Sequence, residues 1–320
     1  MTFGSNGAVL LTYAIGFAVT CAATPLARRL AVRHGAIDQP NERKKHKSPL
    51  PTWGGVAIIA DFCAAAIFGG AIHQLSPKAL VGLASGALFV ALVGIVDDRI
   101  DIPAKIKLIL QIIAVFPLLL TGLTISMLSH PILRQEQVYL PTWLSWVITT
   151  LWVVGVTNAI NLIDGLDGLA AGVSAIACTA LAFIALVWGQ FAVALLCAAL
   201  AGAAVGFLPW NWHPAGILMG DTGAYFLGFV IAAVTIQGAF KMAAAIAILI
   251  PLLVLAVPLL DTTLSPIRRV LQGRPAFKAD RDHLHHRLIA LGLSETRVVL
   301  LTYAVTAVCG AIAIWMSRAR

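Results

Sequence analysis

The run Asn158-Ala159-Ile160-Asn161-Leu162-Ile163-Asp164-Gly165-Leu166-Asp167-Gly168-Leu169 closes a long apolar stretch with two carboxylates, two carboxamides and two glycines. Groups so rich in oxygen do not sit beside lipid alone, because each unsatisfied one in hydrocarbon costs several kcal/mol. A hard cation is their natural partner, and hard cations at enzyme sites commonly carry phosphates. A three-residue spacing turns Asn158, Asn161 and Asp164 by about 60° each on a helix of about 3.6 residues per turn. Asn161 and Asp164 can therefore share a face, while Gly165 and Gly168 are expected to end the helix and leave Asp167 on a turn. For Asn158, hydrogen bonding between helices is an equally good reading.

Four other clusters carry chemistry. Asp97-Asp98 closes one apolar segment and Asp221, between Gly220 and Thr222-Gly223, opens another. Asp97, Asp98 and Asp164 are expected at helix carboxyl ends, where the macrodipole is already negative. Capping therefore does not explain them, whereas a bound cation would relieve the conflict. Asp221 fits two roles, an N-cap and a metal ligand. The run Lys44-Lys45-His46-Lys47-Ser48-Pro49-Leu50-Pro51-Thr52-Trp53-Gly54-Gly55 leads cations into a helix start, an arrangement suited to anions, since the helix amino terminus and its free N–H groups add to the lysines. His283-Leu284-His285-His286-Arg287, with Asp280, Arg281 and Asp282 before it, fits phosphate contact better than zinc, since it has neither cysteine nor an HExxH helix. Asp261 is expected to pair with Arg268 or Arg269. Asp61, about two turns beyond Gly54, has no role that the sequence supplies.

Positioning these groups falls to membrane helices. The 320 residues are 60% hydrophobic and 11% charged, with a mean hydropathy of +0.92, against roughly 25% charged residues in a soluble domain. Ten apolar segments can be drawn, at 7–27, 54–73, 79–96, 106–127, 143–163, 169–188, 191–208, 222–238, 243–265 and 298–317. The expectation is an all-α polytopic integral membrane protein of 10 or 11 transmembrane helices, forming one transmembrane domain over 1–320. The first segment has no basic region before it and exceeds a signal-peptide core, so it is expected to remain as a helix. Of the 22 Lys and Arg residues, 17 fall in the first, third and ninth loops. The positive-inside rule then puts the amino terminus outside and those loops, with the polar clusters, in the cytoplasm. Cys21, Cys63, Cys178, Cys197 and Cys309 lie within apolar runs without metal spacing and read as small hydrophobes.

Taken together, the stretches Pro51-Thr52-Trp53-Gly54-Gly55, Val96-Asp97-Asp98-Arg99, Asn158 to Leu169, Met219-Gly220-Asp221-Thr222-Gly223 and His283 to Leu288 resemble the signatures of the polyprenyl-phosphate N-acetylhexosamine-1-phosphate transferases. Five stretches in register make that resemblance specific. It implies transfer of a sugar-1-phosphate from a UDP-N-acetylhexosamine to a membrane polyprenyl phosphate, with release of UMP. The histidine run is similar to that of the bacterial branch that uses UDP-N-acetylglucosamine for surface polysaccharide or teichoic-acid synthesis, in the bacterial inner membrane. By resemblance, Asn161 and Asp221 are metal ligands for Mg2+, or Mn2+ in its place. Asp97 and Asp98 resemble the acidic pair near the metal and the lipid phosphate; on the chemistry, Asp98 is expected to orient or deprotonate the acceptor, and Asp164 is a third candidate catalytic acid. Lys107 holds the acceptor phosphate, Lys47, Asp167 and Asn211 surround the uridine, and His283, His285, His286 and Arg287 contact the sugar diphosphate. Leu218 stands where that branch has an aromatic for uracil. The family commonly forms homodimers, and no nucleic-acid partner is expected.

Three alternatives carry different signatures. A UDP-MurNAc-pentapeptide phosphotransferase would have another histidine run. A transporter would place its acids near the bilayer midplane, between inverted repeats. A CDP-alcohol phosphatidyltransferase would have Arg at Gly172 and two later Asp residues, which are missing.

Overall fold

The computed structural model describes residues 5–39, 49–129, 137–239, 252–260 and 284–318. Ten α-helices have defined bounds. They are α1 (Ser5–Arg33), α2 (Gly54–Phe68), α3 (Pro77–Ile100), α4 (Ala104–Leu120), α5 (Thr142–Ile163), α6 (Leu169–Val187), α7 (Phe191–Asn211), α8 (Gly220–Ala239), α9 (Leu284–Ala290) and α10 (Glu295–Arg318). Two antiparallel strand pairs accompany them. β1 (Ile37–Asp38) pairs with β2 (Leu50–Pro51), and β3 (Met127–Ser129) with β4 (Gln137–Tyr139).

Among the described residues, α1, α3, α5, α6, α7 and α10 are long and apolar enough to cross a membrane, and α2 is a shorter apolar helix. The protein is thus an all-α membrane protein. The core lies where α7 packs against α1 and α6 while α8 sits between α3 and α5; α10 leans on α6. From Ala224 to Ile236 almost every residue of α8 is buried, as in α6 and α7.

Several expected boundaries shift for local reasons. The segment drawn at 7–27 is one helix running to Arg33, carried past Pro25. The segment drawn at 54–73 stops as a helix at Phe68, because Gly70 adopts φ +81° and starts a short 3-10 turn over Ala71–Gln74. The segment drawn at 106–127 stops at Leu120, where Gly122 at φ +79° turns the chain toward β3. A left-handed glycine just past the last turn is a common helix stop. At the start of α3, Ser76 accepts from Ala79 N at 3.2 Å and Pro77 occupies the first turn. Only 252–260 of the ninth segment is described.

Candidate functional site

Hydrogen bonds and ion pairs tie the carboxyl ends of α3, α5 and α7 to the amino ends of α4, α6 and α8 at one end of the bundle, and the amino end of α2 bonds the loop before α8. There they enclose a cleft of about 660 Å³. Six of the expected site residues line it: Asp98, Asn161, Asp164, Asp167, Asn211 and Asp221. Asp38, Thr52, His213 and Glu295 join them, and none of these four is an expected site residue.

Asp97 does not line the cleft. It is 3% exposed, and its Oδ2 accepts from the Tyr225 hydroxyl at 3.0 Å while its Oδ1 accepts from the Ile102 amide at 2.8 Å. The same Oδ2 lies 2.9 Å from Lys107 Nζ, which also reaches Asp221 at 3.4 Å and Asp101 at 3.6 Å. Asp97 thus anchors the one cation that the structure holds beside Asp221 among the described residues.

Asp98 does cap a helix, though not its own. Its carboxylate accepts from Asp221 N at 2.8 Å, Thr222 N at 3.2 Å and Thr222 Oγ1 at 2.6 Å, all in the first turn of α8. The unfavourable carboxyl end of α3 is offset there by the favourable amino end of α8. Freed of capping, Asp221 turns its own carboxylate to Asn161, whose Nδ2 donates to Oδ1 at 2.6 Å. The N-cap reading of Asp221 is therefore not the arrangement found.

The amino end of α2 differs from expectation. Gly54 N donates to Leu218 O at 3.0 Å and Gly55 N to Met219 O at 2.9 Å, so those amides are not free for an anion. The glycine pair serves close packing instead. A Cβ on Gly55 would overlap the backbone of Gly223, and one on Gly94 would overlap Thr222. With no side chains at the crossing, α2 and α3 press against the first turn of α8 and fix Asp221 in place.

Between α5 and α6, Gly168 takes φ +76° and its amide donates to Asn211 Oδ1 at 2.9 Å, while Asn211 Nδ2 donates to Ile217 O at 3.0 Å. Asn211 thereby ties the α5–α6 turn to the loop before α8. Tyr303 of α10 donates its hydroxyl to Gly168 O at 2.5 Å. Burial, then the charges of Asp221, Asp98 and Asp167, push the Asp164 carboxyl well above the usual carboxylate range. Asp167 accepts from His213 Nδ1 at 2.9 Å and from the Ala215 amide at 3.1 Å. Asn158 instead pairs with Gln111 of α4, its Nδ2 2.6 Å from Gln111 Oε1, as the interhelical reading has it. Asp61 accepts from Thr20 Oγ1 at 2.7 Å and joins α2 to α1.

Lys47, with Lys44, Lys45 and His46, lies outside the described residues, as do His283 and Asp261. His285 and His286 fall within α9 by backbone alone. Arg287 is exposed on α9 and does not line the cleft.

The donor set fits a hard divalent ion. Among the described residues no three Asp, Glu or His side chains form a ready metal cage. Mg2+ asks for less, since it binds through one or two carboxylates and completes its shell with water and substrate phosphates. Asp221 and Asn161, with Asp98 and Asp164 on the same cleft, would supply such oxygens, and the crowding that burdens Asp164 is what a cation would relieve.

The sequence matches Glycosyl transferase family 4 over residues 80–239. A Bacillus subtilis (strain 168) protein named "Probable undecaprenyl-phosphate N-acetylglucosaminyl 1-phosphate transferase" is 36% identical over 297 residues, covering 93% of this chain and 82% of that protein. The decaprenyl-phosphate N-acetylglucosaminephosphotransferase of Mycobacterium tuberculosis is 36% identical over 315 residues, 89% of this chain and 76% of its own. The undecaprenyl-phosphate alpha-N-acetylglucosaminyl 1-phosphate transferase of Yersinia pestis is 30% identical over 285 residues, 87% of this chain and 76% of its own.

Proposed function

The chain belongs to glycosyl transferase family 4, and from that premise we propose that it moves N-acetylglucosamine-1-phosphate from a UDP-sugar to a polyprenyl phosphate and releases UMP. In a bacterium the acceptor is undecaprenyl phosphate, the membrane is the inner membrane, and the product starts a cell-surface polysaccharide. One observation carries the reading: Asp98, Asn161, Asp164, Asp167 and Asp221, from three separate stretches of chain, face one cleft, with Lys107 beside them. The relatives' names supply the donor and acceptor.

The amino terminus is outside and the cleft opens to the cytoplasm. Support comes from the basic residues at its end of the bundle: Arg33 at the end of α1, Arg99 at the end of α3, and Lys105 and Lys107 at the start of α4.

The reaction brings together two anions, the acceptor phosphate and the donor diphosphate, so the site must first screen them. Lys107, held by Asp97, receives the acceptor phosphate. Asn161 and Asp221 would hold Mg2+, with Asp98 and Asp164 beside them. When bound, the ion lowers the charge of the diphosphate and stabilises the leaving UMP. Asp98 sets the first turn of α8 so that Asp221 faces Asn161. Its contacts support an orienting role over proton removal. A base is in any case a modest aid, because a phosphomonoester with a second pKa near ~6 is mostly dianionic at neutral pH. Asp167 and Asn211 border the uridine end of the cleft.

The test is transfer of labelled sugar-1-phosphate to undecaprenyl phosphate from a panel of UDP-sugars, with EDTA and with Mg2+ restored. Lipid-linked label from UDP-N-acetylglucosamine that EDTA abolishes and Mg2+ returns is expected. Full transfer in EDTA would remove the metal assignment, and exchange of UMP into UDP-sugar without lipid would replace direct attack by a covalent aspartyl phosphate.

A further inference from the structure

Among the described residues, every contact to Asp167 falls on one carboxylate oxygen. Oδ2 accepts from His213 Nδ1 at 2.9 Å and from the Ala215 amide at 3.1 Å. Glu295 Oε2, in the first turn of α10, lies 3.8 Å from the same His213 nitrogen. The α5–α6 turn, the α7–α8 loop and the start of α10 therefore meet at His213, and all three residues line the cleft.

A carboxylate only accepts, so the nitrogen of His213 that faces Asp167 carries a proton and donates it. Oδ2 is thus held twice, and among the described residues Oδ1 accepts no hydrogen bond while Asp167 lines the cleft. An acceptor fixed in this way pairs with a ring N–H and repels a ring nitrogen lone pair. Uracil presents an N–H between its two carbonyls, whereas cytosine has a lone pair at that ring position. Among the described residues the cleft lining contains no Phe, Tyr or Trp, and Leu218 gives only an aliphatic wall. Base selection therefore falls to polar contacts.

We propose that His213 is a positioning residue for the donor's nucleobase, holding Asp167 so that Oδ1 reads the imide N–H of a uracil-class base. The proposal rests on the transferase reading, because it takes Asp167 to border the uridine.

The experiment measures UMP and CMP binding to the purified full chain by calorimetry in Mg2+ buffer, together with steady-state kinetics. The wild-type protein is expected to prefer UMP. His213→Phe is expected to weaken UMP by about tenfold, the scale of one hydrogen bond to a charged group. KM for the UDP-sugar should rise by the same factor while KM for the polyprenyl phosphate stays, the loss appearing in KM and not in kcat. His213→Asn, which restores an N–H donor, should recover most of the UMP affinity. A Phe variant that binds UMP as the wild type does, an equal loss for CMP and UMP, or an Asn variant as weak as Phe would each overturn the proposal. Binding needs no turnover. A wild-type protein that binds UMP but transfers nothing therefore refutes the transferase reading and leaves the His213 brace standing, whereas one that does not bind UMP overturns the brace.

Discussion

Replacing Asp98 by Asn separates its two roles, because the carboxylate both faces the cleft and caps α8 from outside. Its oxygens accept from two backbone amides and one hydroxyl, at 2.8, 3.2 and 2.6 Å. An Asn side chain keeps one accepting oxygen and turns an NH2 group toward the remaining donors. A buried donor left unmatched costs about 1–3 kcal/mol, and the lost charge at a helix amino end costs about 0.3–2 kcal/mol more. Asp98→Asn is thus expected to lose roughly 1–5 kcal/mol, a fall of at least about 2 °C in the melting midpoint. Asp164→Asn should behave in the opposite way. Burial and neighbouring carboxylates raise its pKa, so the wild type loses stability as pH rises from the ordinary carboxylate value through the raised one. Asn at 164 removes that loss: the variant should match the wild type below about pH 4 and melt higher at neutral pH. The assay is thermal unfolding in detergent with EDTA across pH, beside transferase activity, which both variants should lack. An Asp98→Asn protein that melts at or above the wild type, or an Asp164→Asn protein that melts lower, would refute the reasoning.

Gly55→Val should prevent stable folding, seen as loss of the monodisperse peak in fluorescence-detected size exclusion, because a side chain there meets the backbone of Gly223. Asn158→Leu and Gln111→Leu should each lower the melting midpoint by the equivalent of about 1 kcal/mol. The double variant should recover most of that loss while transfer continues. Asp97→Asn should raise KM for the polyprenyl phosphate more than for the UDP-sugar, since it loosens Lys107; an equal rise in both would separate Lys107 from the acceptor.

Element identity could be read from the sequence because lipid imposes a simple rule, long apolar helices with polar groups gathered at their ends. Asp164, Asp167 and Asp221 were found by that rule, and the cleft unites them. Partners across the bundle were hidden. Nothing local to Asp97-Asp98 says that one acid anchors a lysine while the next caps α8: Lys107 lies on the following helix, and Tyr225 and the amides that Asp98 caps lie more than a hundred residues along the chain. The Gly54-Gly55 pair looked like an anion cradle because its amides seemed free, and only the fold supplies the Leu218 and Met219 carbonyls that occupy them. Asp38 and Glu295 escaped notice as single charges near helix ends, a place where topology or solvation already accounts for a charge. His213 stood in a polar approach to Asp221 whose chemistry depended on Asp167, a residue of another turn.

The most direct measurement follows both halves of the donor in one reaction, using UDP-N-acetylglucosamine labelled in the sugar and in the β-phosphate, with undecaprenyl phosphate in proteoliposomes. Both labels should pass to the lipid in equal amounts, with one UMP released for each. Sugar label on the lipid with UDP as the other product, or no label on the lipid at all, would contradict the account.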